Sequence, residues 1–466
     1  MTYKSVTEIL KAIKKKQISA TEITKEYFKL IKTSNDLNCF ITLTEDFALN
    51  RAKEIDEDIS KNNFKPLSGL PIAQKDIFCT KGIKTSCGSK MLDNFISPYD
   101  ATVVDKLNEA GTIMLGKTNM EEFAMGSSNE TSFYGVVKNP WDHEYVPGGS
   151  SGGSASAVAA RISPCSTGTD TGGSIRQPAS LCGICGLKPT YGRVSRFGMI
   201  AFASSLDQAG LFTTDALDAA VLLKEISGHD PKDSTSSTVE VPDYHDYCIN
   251  SDKKKFTVGI PEEFVNDLND DVKNSFYESV KILENIGCKI KTINLKHTGL
   301  GVSAYQVVAP AECSSNLSRF DGVRYGHRSK KSESLENLYR ESRSEGFGKE
   351  VKRRILVGTY ALSAGYYDAY YLKAQKVRNL IAQDFNQAFK KVDLILGPTT
   401  PDKAFKIGEK MNDPIAMYLS DVYTVSTNLA GLPAMSIPMG FKEGMPLGLQ
   451  IIGKHFDEKD ILKLSY

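Results

Sequence analysis

The sequence predicts an α/β protein in which strands alternate with helices around a layered core. Two observations lead to this prediction. Short apolar runs rich in Val, Ile and Leu alternate with longer amphipathic stretches along much of the 466-residue chain. Residues 140–198 break this rhythm, because Gly and Ser dominate them while Ala, Val and Ile interrupt them. A flexible linker lacks such apolar residues, so we interpret this block as backbone that turns or approaches a ligand closely.

Composition and charge exclude several classes of protein. Hydrophobic residues make up 41% of the chain, which rules out disorder of the whole chain. The 57 basic residues are balanced by 56 acidic ones, without the basic excess typical of a nucleic-acid-binding module. The nine cysteines form no spaced framework, and the N-terminus has no apolar signal core. The longest uncharged stretch, 422–441, contains prolines and polar residues, so we expect a cytoplasmic protein without a membrane span.

The N-terminal third is predicted to pass from helices into strands. Two capping-box patterns, each a serine with a glutamate three residues later, begin two helices. The pairs are Ser5 with Glu8 and Ser19 with Glu22, and the helices run near 6–16 and 20–33. The segment 68–78 then forms a short buried strand that ends near Lys75. Residues 101–117 have the pattern of a helix, a glycine stop and a strand, and Ala155–Ile162 that of a short helix.

The second half of the chain alternates in the same way. Strands at 255–261 and 288–295 flank an amphipathic helix at Asp271–Glu284, which Gly287 stops, and together they form a βαβ-like unit. The charged segment 328–354 is expected to be exposed, mobile or helical. The remaining predicted elements are a helix at Lys373–Phe389 and strands at 392–398, 435–440 and 448–453. The chain stops at Tyr466 within a predicted helix, which leaves open whether further residues follow.

Histidine-dependent and phosphate-binding sites fit the Gly/Ser block poorly. The glycine spacing matches neither a P-loop nor a dinucleotide-binding loop. The segment Gly149–Gly153 matches a nucleophile elbow centred on Ser151, but the residues before it are loop-like, whereas an elbow follows a strand. None of the six histidines has an apolar or glycine-rich setting, so each is interpreted as a surface or packing residue.

A metal or redox site is a second alternative. Cys182 and Cys185 form a Cys-x-x-Cys pair, yet no second pair lies at zinc spacing and no HExxH motif is present. Their apolar neighbours favour buried thiols. We therefore expect no metal site in this chain.

The third alternative is serine chemistry without histidine. Ser174 follows Thr171, Gly172 and Gly173, and bare backbone there can direct N–H groups at a developing oxyanion. A neutral lysine can act as the base, through a second hydroxyl where it cannot reach. Lys75, at the end of a predicted buried strand, is the candidate, since burial lowers a lysine pKa. The competing interpretation is an exposed Lys75 paired with its neighbour Asp76.

The segment 147–198 resembles the amidase signature over its full length, and segment 68–78 supplies the matching lysine. The resemblance covers almost the whole chain. It implies an α/β amidase signature fold with a large mixed central sheet covered by helices on both faces, formed by a single domain over 1–466. Within that domain it implies a helical N-terminal region (1–66), a signature core (67–215) and the remainder of the sheet and helices (216–466). Five segments resemble the glutaminase (A) subunits of glutamyl-tRNA(Gln)/aspartyl-tRNA(Asn) amidotransferases: 121–130, 201–208, 311–328, 356–378 and 428–440.

The resemblance assigns roles to residues of the signature core. It implies Ser174 as the nucleophile, Ser150 as the proton relay after a cis peptide, and Lys75 as the base. The oxyanion donors it implies are the backbone N–H groups of Thr171, Gly172, Gly173 and Ser174. Asp170 and Arg176 are expected to orient the nucleophile loop. Segments 127–132 and 205–212 differ in detail from the common forms of the family.

The same resemblance implies a glutamine site. It assigns substrate binding to Tyr305, Arg354 and Asp421. The chemistry agrees, because an arginine pairs with an α-carboxylate and an aspartate receives an α-ammonium group. Arg354 is otherwise one of several basic residues in its segment, whereas Asp421 is the last charge before the long uncharged stretch.

A function follows from the resemblance. It implies a glutaminase that supplies ammonia to two partners, the B and C subunits of a heterotrimer, for conversion of Glu-tRNA(Gln) to Gln-tRNA(Gln) or of Asp-tRNA(Asn) to Asn-tRNA(Asn). ATP and Mg²⁺ are expected in the B partner, which also makes most of the tRNA contacts, and no cofactor is expected in this chain. The alternatives are a free-standing amidase for another carboxamide, a catalytically inactive scaffold, and a zinc or redox protein.

Overall fold

A computed structural model of the chain describes residues 5–251, 254–331 and 333–466 and is built on one eleven-stranded mixed sheet. The strands are β1 (Phe40–Leu43), β2 (Pro71–Lys75), β3 (Ile113–Thr118), β4 (Ser166–Asp170), β5 (Cys185–Lys188), β6 (Gln208–Thr213), β7 (Thr257–Pro261), β8 (Lys289–Ile293), β9 (Leu394–Pro398), β10 (Ala434–Lys442) and β11 (Met445–Ile452). Their order across the sheet is β1-β3-β2-β4-β6-β5-β10-β11-β9-β7-β8.

Antiparallel pairs form the middle of the sheet and parallel pairs lie on either side of them, while the edge strand β1 pairs antiparallel with β3. Strand β2 runs parallel to β3 and to β4, while β4, β6, β5, β10, β11 and β9 pair antiparallel in that order. At the far end β7 pairs parallel with both β8 and β9. The predicted βαβ unit is confirmed, because the chain leaves β7, forms the helix Asp270–Asn285 and returns as β8. The predicted large mixed sheet is therefore observed.

Helices cover both faces of this sheet, as predicted. They are α1 (Val6–Lys14), α2 (Ala20–Thr33), α3 (Glu45–Ser60), α4 (Thr102–Ala110), α5 (Gly152–Ala159), α6 (Arg176–Cys182), α7 (Ala216–Ile226), α8 (Tyr244–Asn250), α9 (Glu262–Val265), α10 (Asp270–Asn285), α11 (Gly301–Asn316), α12 (Leu335–Gly346), α13 (Lys349–Leu362), α14 (Lys373–Ala388), α15 (Pro414–Leu419), α16 (Val425–Leu429) and α17 (Glu458–Ser465).

Local sequence explains the ends of several elements. Ser19 and Glu22 form the complete predicted capping box at the start of α2, and Ser5 accepts a bond from Glu8 N at the start of α1. Gly111, with a φ of 95°, ends α4 in a left-handed conformation and lets the chain turn directly into β3. The predicted helix–glycine–strand unit over 101–117 is thus confirmed.

Other elements depart from the prediction. The short helix predicted at Ala155–Ile162 lies three residues earlier, at Gly152–Ala159, because Gly152 and Gly153 are helical and the chain turns at Arg161, which has a φ of 60°. Part of the Gly/Ser block is the central strand β4, which lacks the apolar run that marks a buried strand. Its Gly168 packs against the Phe212 ring, where a Cβ would come within 2.6 Å of a ring carbon. The region 1–66 contributes the edge strand β1 besides its helices.

The charged segment 328–354 is largely helical, with all of α12 and the start of α13. One residue of it, Ser332, lies outside the described residues. Within the described chain, no helix combines the length and the hydropathy needed to cross a bilayer. All nine cysteines carry free thiols, and eight of them are buried.

Candidate active site

Lys75 ends strand β2 as a fully buried side chain, which excludes the exposed lysine of the competing interpretation. Its Nζ lies 2.8 Å from Ser150 Oγ, 2.7 Å from Ser151 Oγ and 2.8 Å from Thr169 Oγ1. All three are hydroxyl oxygens. Burial lowers the pKa of Lys75 to about 7. The amine is therefore available in its neutral form near neutral pH.

The three hydroxyls are not equivalent. Ser151 Oγ donates its hydrogen to the carbonyl oxygen of Thr169, at 3.2 Å, so toward Lys75 it acts as an acceptor. A neutral amine has two N–H donors and one lone pair. Ser151 and Thr169 can take the two N–H groups, which leaves the lone pair directed at the hydroxyl of Ser150. This is the arrangement required of a base that takes a proton from Ser150.

The loop that carries Ser150 is held from two sides. The Gly149–Ser150 peptide bond is cis. Gly149 N donates to Gln177 Oε1 at 3.0 Å, and the Ser150 carbonyl accepts from Glu121 N at 3.1 Å. Since Gln177 lies in α6, directly after the loop of Ser174, this bond joins the two serine loops.

Ser174 lies in the loop between β4 and α6, and its residue is 9% exposed. Gly173 has a φ of 144°, a conformation that other residues rarely adopt. Within the described chain, no residue accepts a bond from the backbone N–H groups of 171–174. These four donors are consequently available to a ligand, as an oxyanion site requires.

A buried ion pair spans this loop. Asp170, before it, and Arg176, after it, are both fully buried and lie 3.0 Å apart. Burial alone would raise the pKa of Asp170, but the guanidinium of Arg176 outweighs it and holds that pKa at about 2. Thr171 Oγ1 also donates to Asp207, at 2.7 Å. The loop is therefore fixed at both ends.

Two of the three residues predicted to bind substrate lie against the nucleophile loop. A Cβ built on Gly172 would lie 2.7 Å from Tyr305 Cζ, and one built on Gly173 would lie 3.3 Å from Asp421 Oδ1. The glycines thus allow Tyr305 and Asp421 to approach the backbone beside Ser174. Tyr305 is buried, and burial raises its pKa.

Asp421 has an incomplete set of partners. Its Oδ2 accepts a bond from Ser127 Oγ at 2.5 Å. Its Oδ1 is buried and has no hydrogen-bond partner in the described part of the chain. Burial raises the pKa of Asp421 to about 7. An unpaired buried carboxylate oxygen is costly, so this oxygen is a suitable acceptor for a cationic group of a ligand.

Arg354 lies in α13, and its residue is 5% exposed. Its Nε donates to Glu350 Oε1 at 2.9 Å, while its guanidinium lies between the rings of Phe202 and Tyr418, at 5.5 and 5.6 Å. Neither terminal nitrogen donates to a described residue. A cavity of about 150 Å³ opens beside it, and Ser127, Glu350 and Tyr418 are among its lining residues. The free edge of the guanidinium can bind a carboxylate there.

Several residues of this site are not evident from the sequence. Ser151 stands out only as the centre of a poor match to a nucleophile elbow, and Thr169 does not stand out, although both contact Lys75 Nζ. Ser127 was noted only within a divergent segment, although it binds Asp421. No sequence signal marks Thr169, because it lies in β4, a buried strand of Ser, Thr, Gly and Asp without an apolar run.

The alternative sites have different surroundings. Among the described residues, no group of three histidine, cysteine or acidic side chains is placed to hold a metal ion. Cys182 is buried, and its Sγ lies 3.3 Å from Pro147 O. Three of the histidines, His143, His297 and His327, pair with acidic side chains, and His455 bonds to a backbone carbonyl.

Known proteins resemble this chain over its full length. The family model described as "Amidase" matches residues 22–462. A protein of Coxiella burnetii, named as the A subunit of glutamyl-tRNA(Gln) amidotransferase, is 59% identical over 100% of this chain and 97% of its own length. The crystal structure of a Thermotoga maritima protein with the same name has a TM-score of 0.80 and 41% identity, over 96% of this chain and 90% of that one. A peptide amidase from Stenotrophomonas maltophilia has a TM-score of 0.84 and 27% identity, over 100% and 96%.

Proposed function

The chain belongs to the amidase family, and on this premise we propose that it hydrolyses glutamine as the ammonia-producing component of a tRNA-dependent amidotransferase. One observation carries the chemistry. Lys75 is fully buried, its pKa is lowered to about 7, and its amine contacts the hydroxyl of Ser150. A lysine that is neutral near pH 7 and contacts a serine hydroxyl can act as the base that a serine hydrolase without histidine requires.

The reaction proceeds in two halves. Neutral Lys75 takes the proton of Ser150 while Ser150 takes the proton of Ser174, and Ser174 Oγ attacks the side-chain amide carbon of glutamine. The backbone N–H groups of 171–174 bind the oxyanion, and one good donor of this kind contributes about 3–4 kcal/mol. The intermediate collapses as the relay returns a proton to the leaving nitrogen, which departs as ammonia. Water then hydrolyses the glutamyl ester through the same relay.

Glutamine is held by the groups around the nucleophile loop. The terminal nitrogens of Arg354 bind the α-carboxylate, and Asp421 Oδ1 receives the α-ammonium group. Tyr305 packs beside Gly172 and limits the position of the side chain that reaches Ser174. The free edge of Arg354 and the unpaired Oδ1 of Asp421 support this assignment.

We propose one amidase domain over 1–466, composed of a mostly helical region (1–66), a signature core (67–215) and the remainder (216–466). All three regions contribute strands to the single sheet, which supports this division. Relatives of this length are named as the A subunit of the amidotransferase, so the heterotrimer we propose adds the B and C subunits. ATP and Mg²⁺ would act in the B partner, which would also bind most of the tRNA.

Ammonia release from glutamine tests this function. The chain would be purified alone and together with candidate B and C subunits, beside a Ser174→Ala variant. We expect release that depends on Ser174 and is stimulated by the partners. Release from simple amides but not from glutamine would instead establish a free-standing amidase, an alternative that the likeness to the peptide amidase keeps open. A folded chain that releases no ammonia from any amide, with or without the partners, would indicate an inactive scaffold.

Replacing Thr169 with valine is expected to lower kcat for glutamine about 5- to 100-fold, with little effect on KM. Valine keeps the shape but removes the acceptor that fixes one N–H of Lys75, and a lost bond of this kind costs about 1–3 kcal/mol. Thr169→Ser keeps the hydroxyl and should restore most of kcat. Steady-state ammonia assays measure both, and a Thr169→Val enzyme with an unchanged kcat would contradict the assigned role.

Replacing Arg354 with alanine is expected to raise the KM for glutamine by roughly 10²-fold, because a buried charge-assisted pair with the α-carboxylate is lost. Lys352→Ala is the matched control, since Lys352 is an exposed cation of the same helix that bonds to the carbonyl of Ser344 and does not line the cavity beside Arg354. The control should leave KM near the wild-type value. Equal KM values for the two variants would contradict the assignment of Arg354 to the glutamine site.

A further inference from the structure

A second fully buried lysine lies on the strand next to that of Lys75. Lys117 belongs to β3, the strand next to β2 in the sheet. Its Nζ lies 3.2 Å from Asp76 Oδ1, 2.8 Å from Phe78 O and 3.1 Å from Thr85 Oγ1. A carboxylate and a carbonyl are among these three oxygens, whereas Lys75 contacts only hydroxyls. The environment of Lys117 therefore suits an ammonium group, and that of Lys75 suits an amine.

Asp76, the partner of Lys117, directly follows Lys75 in the chain and is fully buried. Its Oδ2 accepts from Ser86 N at 2.8 Å and from Ser86 Oγ at 2.5 Å. Within the described chain, its Oδ1 has Lys117 as its only polar partner. Without Lys117, the carboxylate would be left buried and uncompensated.

The sheet register keeps the two lysines apart. In the parallel pair β2–β3, Lys75 is opposite Thr118, and Lys117 is opposite Gln74. Because side chains alternate along a strand, Lys75 and Lys117 point to opposite faces of the sheet. Asp76 follows Lys75 and contacts Lys117, so its carboxylate is neutralised on the face of the sheet to which Lys117 points. The serines that contact Lys75 lie on the opposite face.

The charges around Lys75 make this compensation important. The carboxylates of Asp170, Asp207 and Glu121 favour its protonated form, whereas burial favours the neutral amine. An uncompensated carboxylate on the next residue would add to the charges that favour the protonated amine, since a nearby opposite charge stabilises the charged form. A base must be neutral to work, so such a charge would weaken it at neutral pH.

We propose that Lys117 is a positioning residue of the active site, which neutralises Asp76 and thereby keeps Lys75 uncharged. The proposal rests on the proposed function for its kinetic consequence but concerns an electrostatic property of the fold. It predicts the direction in which the acid limb of the pH profile moves when either charge of the pair is removed.

The test compares pH profiles of kcat for glutamine hydrolysis by the assembled enzyme, because kcat reports Lys75 whereas kcat/KM also contains the titration of Asp421. Lys117→Met should move the acid limb to higher pH, and a shift of about 1 unit from a pKa of about 7 would lower activity at pH 7 about fivefold. Asp76→Asn should move it to lower pH, because Lys117 is then an unpaired cation near Lys75. The double variant Asp76→Asn/Lys117→Met removes both charges and should return the limb to its wild-type position.

The matched control is Lys106→Met. Lys106 is partly buried in α4 and bonds to the carbonyl of Ser227, away from the active site. The acid limb of the pH profile of Lys106→Met should therefore match that of the wild type. The proposal would be overturned if the acid limb of Lys117→Met stayed at its wild-type position. It would also be overturned if the double variant showed the same shift of the acid limb as Lys117→Met. If Lys117→Met fails to fold, the pH profile of Asp76→Asn tests the proposal instead. An acid limb that stays in place or moves to higher pH in that variant would overturn the proposal.

A second readout separates this proposal from the proposed function. Lysine Cε can be labelled with ¹³C, and the titration of Lys75 can then be followed by NMR, with its resonance assigned from Lys75→Met. The midpoint should move upward in Lys117→Met and downward in Asp76→Asn, whether or not the protein hydrolyses glutamine. An enzyme without glutaminase activity would refute the function, whereas unchanged midpoints would refute the electrostatic role of Lys117.

Discussion

Replacing Ser174 with alanine is expected to reduce glutamine-dependent ammonia release by about 10⁴- to 10⁶-fold. The acyl-enzyme cannot form without this oxygen, and removal of the nucleophile from a serine triad costs about this much. Binding of glutamine should survive, because Tyr305, Arg354 and Asp421 are unchanged. The measurement is ammonia release under single-turnover and steady-state conditions, together with glutamine binding by calorimetry.

The control for this variant is Ser318→Ala, at an exposed serine that bonds only within its own turn. It should keep wild-type activity. If Ser174→Ala retained full activity in a folded protein, the nucleophile would have to be another residue. A covalent glutamyl adduct on Ser174, trapped and mapped by mass spectrometry in the wild type, would establish the assignment directly.

Replacing Lys75 with methionine is expected to be nearly as damaging, with a loss of about 10³- to 10⁵-fold in kcat. Methionine fills much of the space but cannot accept the proton of Ser150. The wild-type kcat should fall as the pH is lowered through about 7, since the pKa of Lys75 is lowered to about that value and the protonated amine is inactive. In Lys75→Met the residual rate should lose this limb.

Asp421 adds to the same pH dependence. Burial raises its pKa to about 7, and its ionised form is the one that binds the α-ammonium group. The KM for glutamine should therefore rise below pH 7, while kcat reports Lys75. A pH-independent kcat in the wild type between pH 6 and 8 would contradict the role of Lys75 as the base.

Stability gives an independent check on the state of Lys75. Its folded pKa of about 7 lies below the value of about 10.4 for a free lysine. Between these two pH values the unfolded chain binds a proton that the folded protein lacks, so the contribution of Lys75 to the free energy of unfolding rises with pH. In Lys75→Met this contribution is absent, and denaturant titrations between pH 7 and 10 should show a flatter dependence.

The sequence predicts those helices and strands that are marked by capping residues, glycine stops or apolar periodicity. The helices of the N-terminus, the unit around Gly111 and the βαβ unit around α10 follow from capping, glycine stops and apolar periodicity. Strand β4 could not be found in this way. It is fully buried, yet consists of Ser, Thr, Gly and Asp, whose polar groups bond to neighbouring elements that are distant in sequence.

In the site, the residue types that carry the chemistry can be read from the sequence: a serine behind two glycines, a second serine, and a lysine at the end of a buried strand. The protonation state of that lysine depends on the folded protein. Two buried lysines on adjacent strands have similar sequence surroundings, but Lys75 faces three hydroxyls and Lys117 faces a carboxylate. The protonation of a buried amine depends on the dipoles and charges within a few ångströms of it, and those come from segments far apart in the chain.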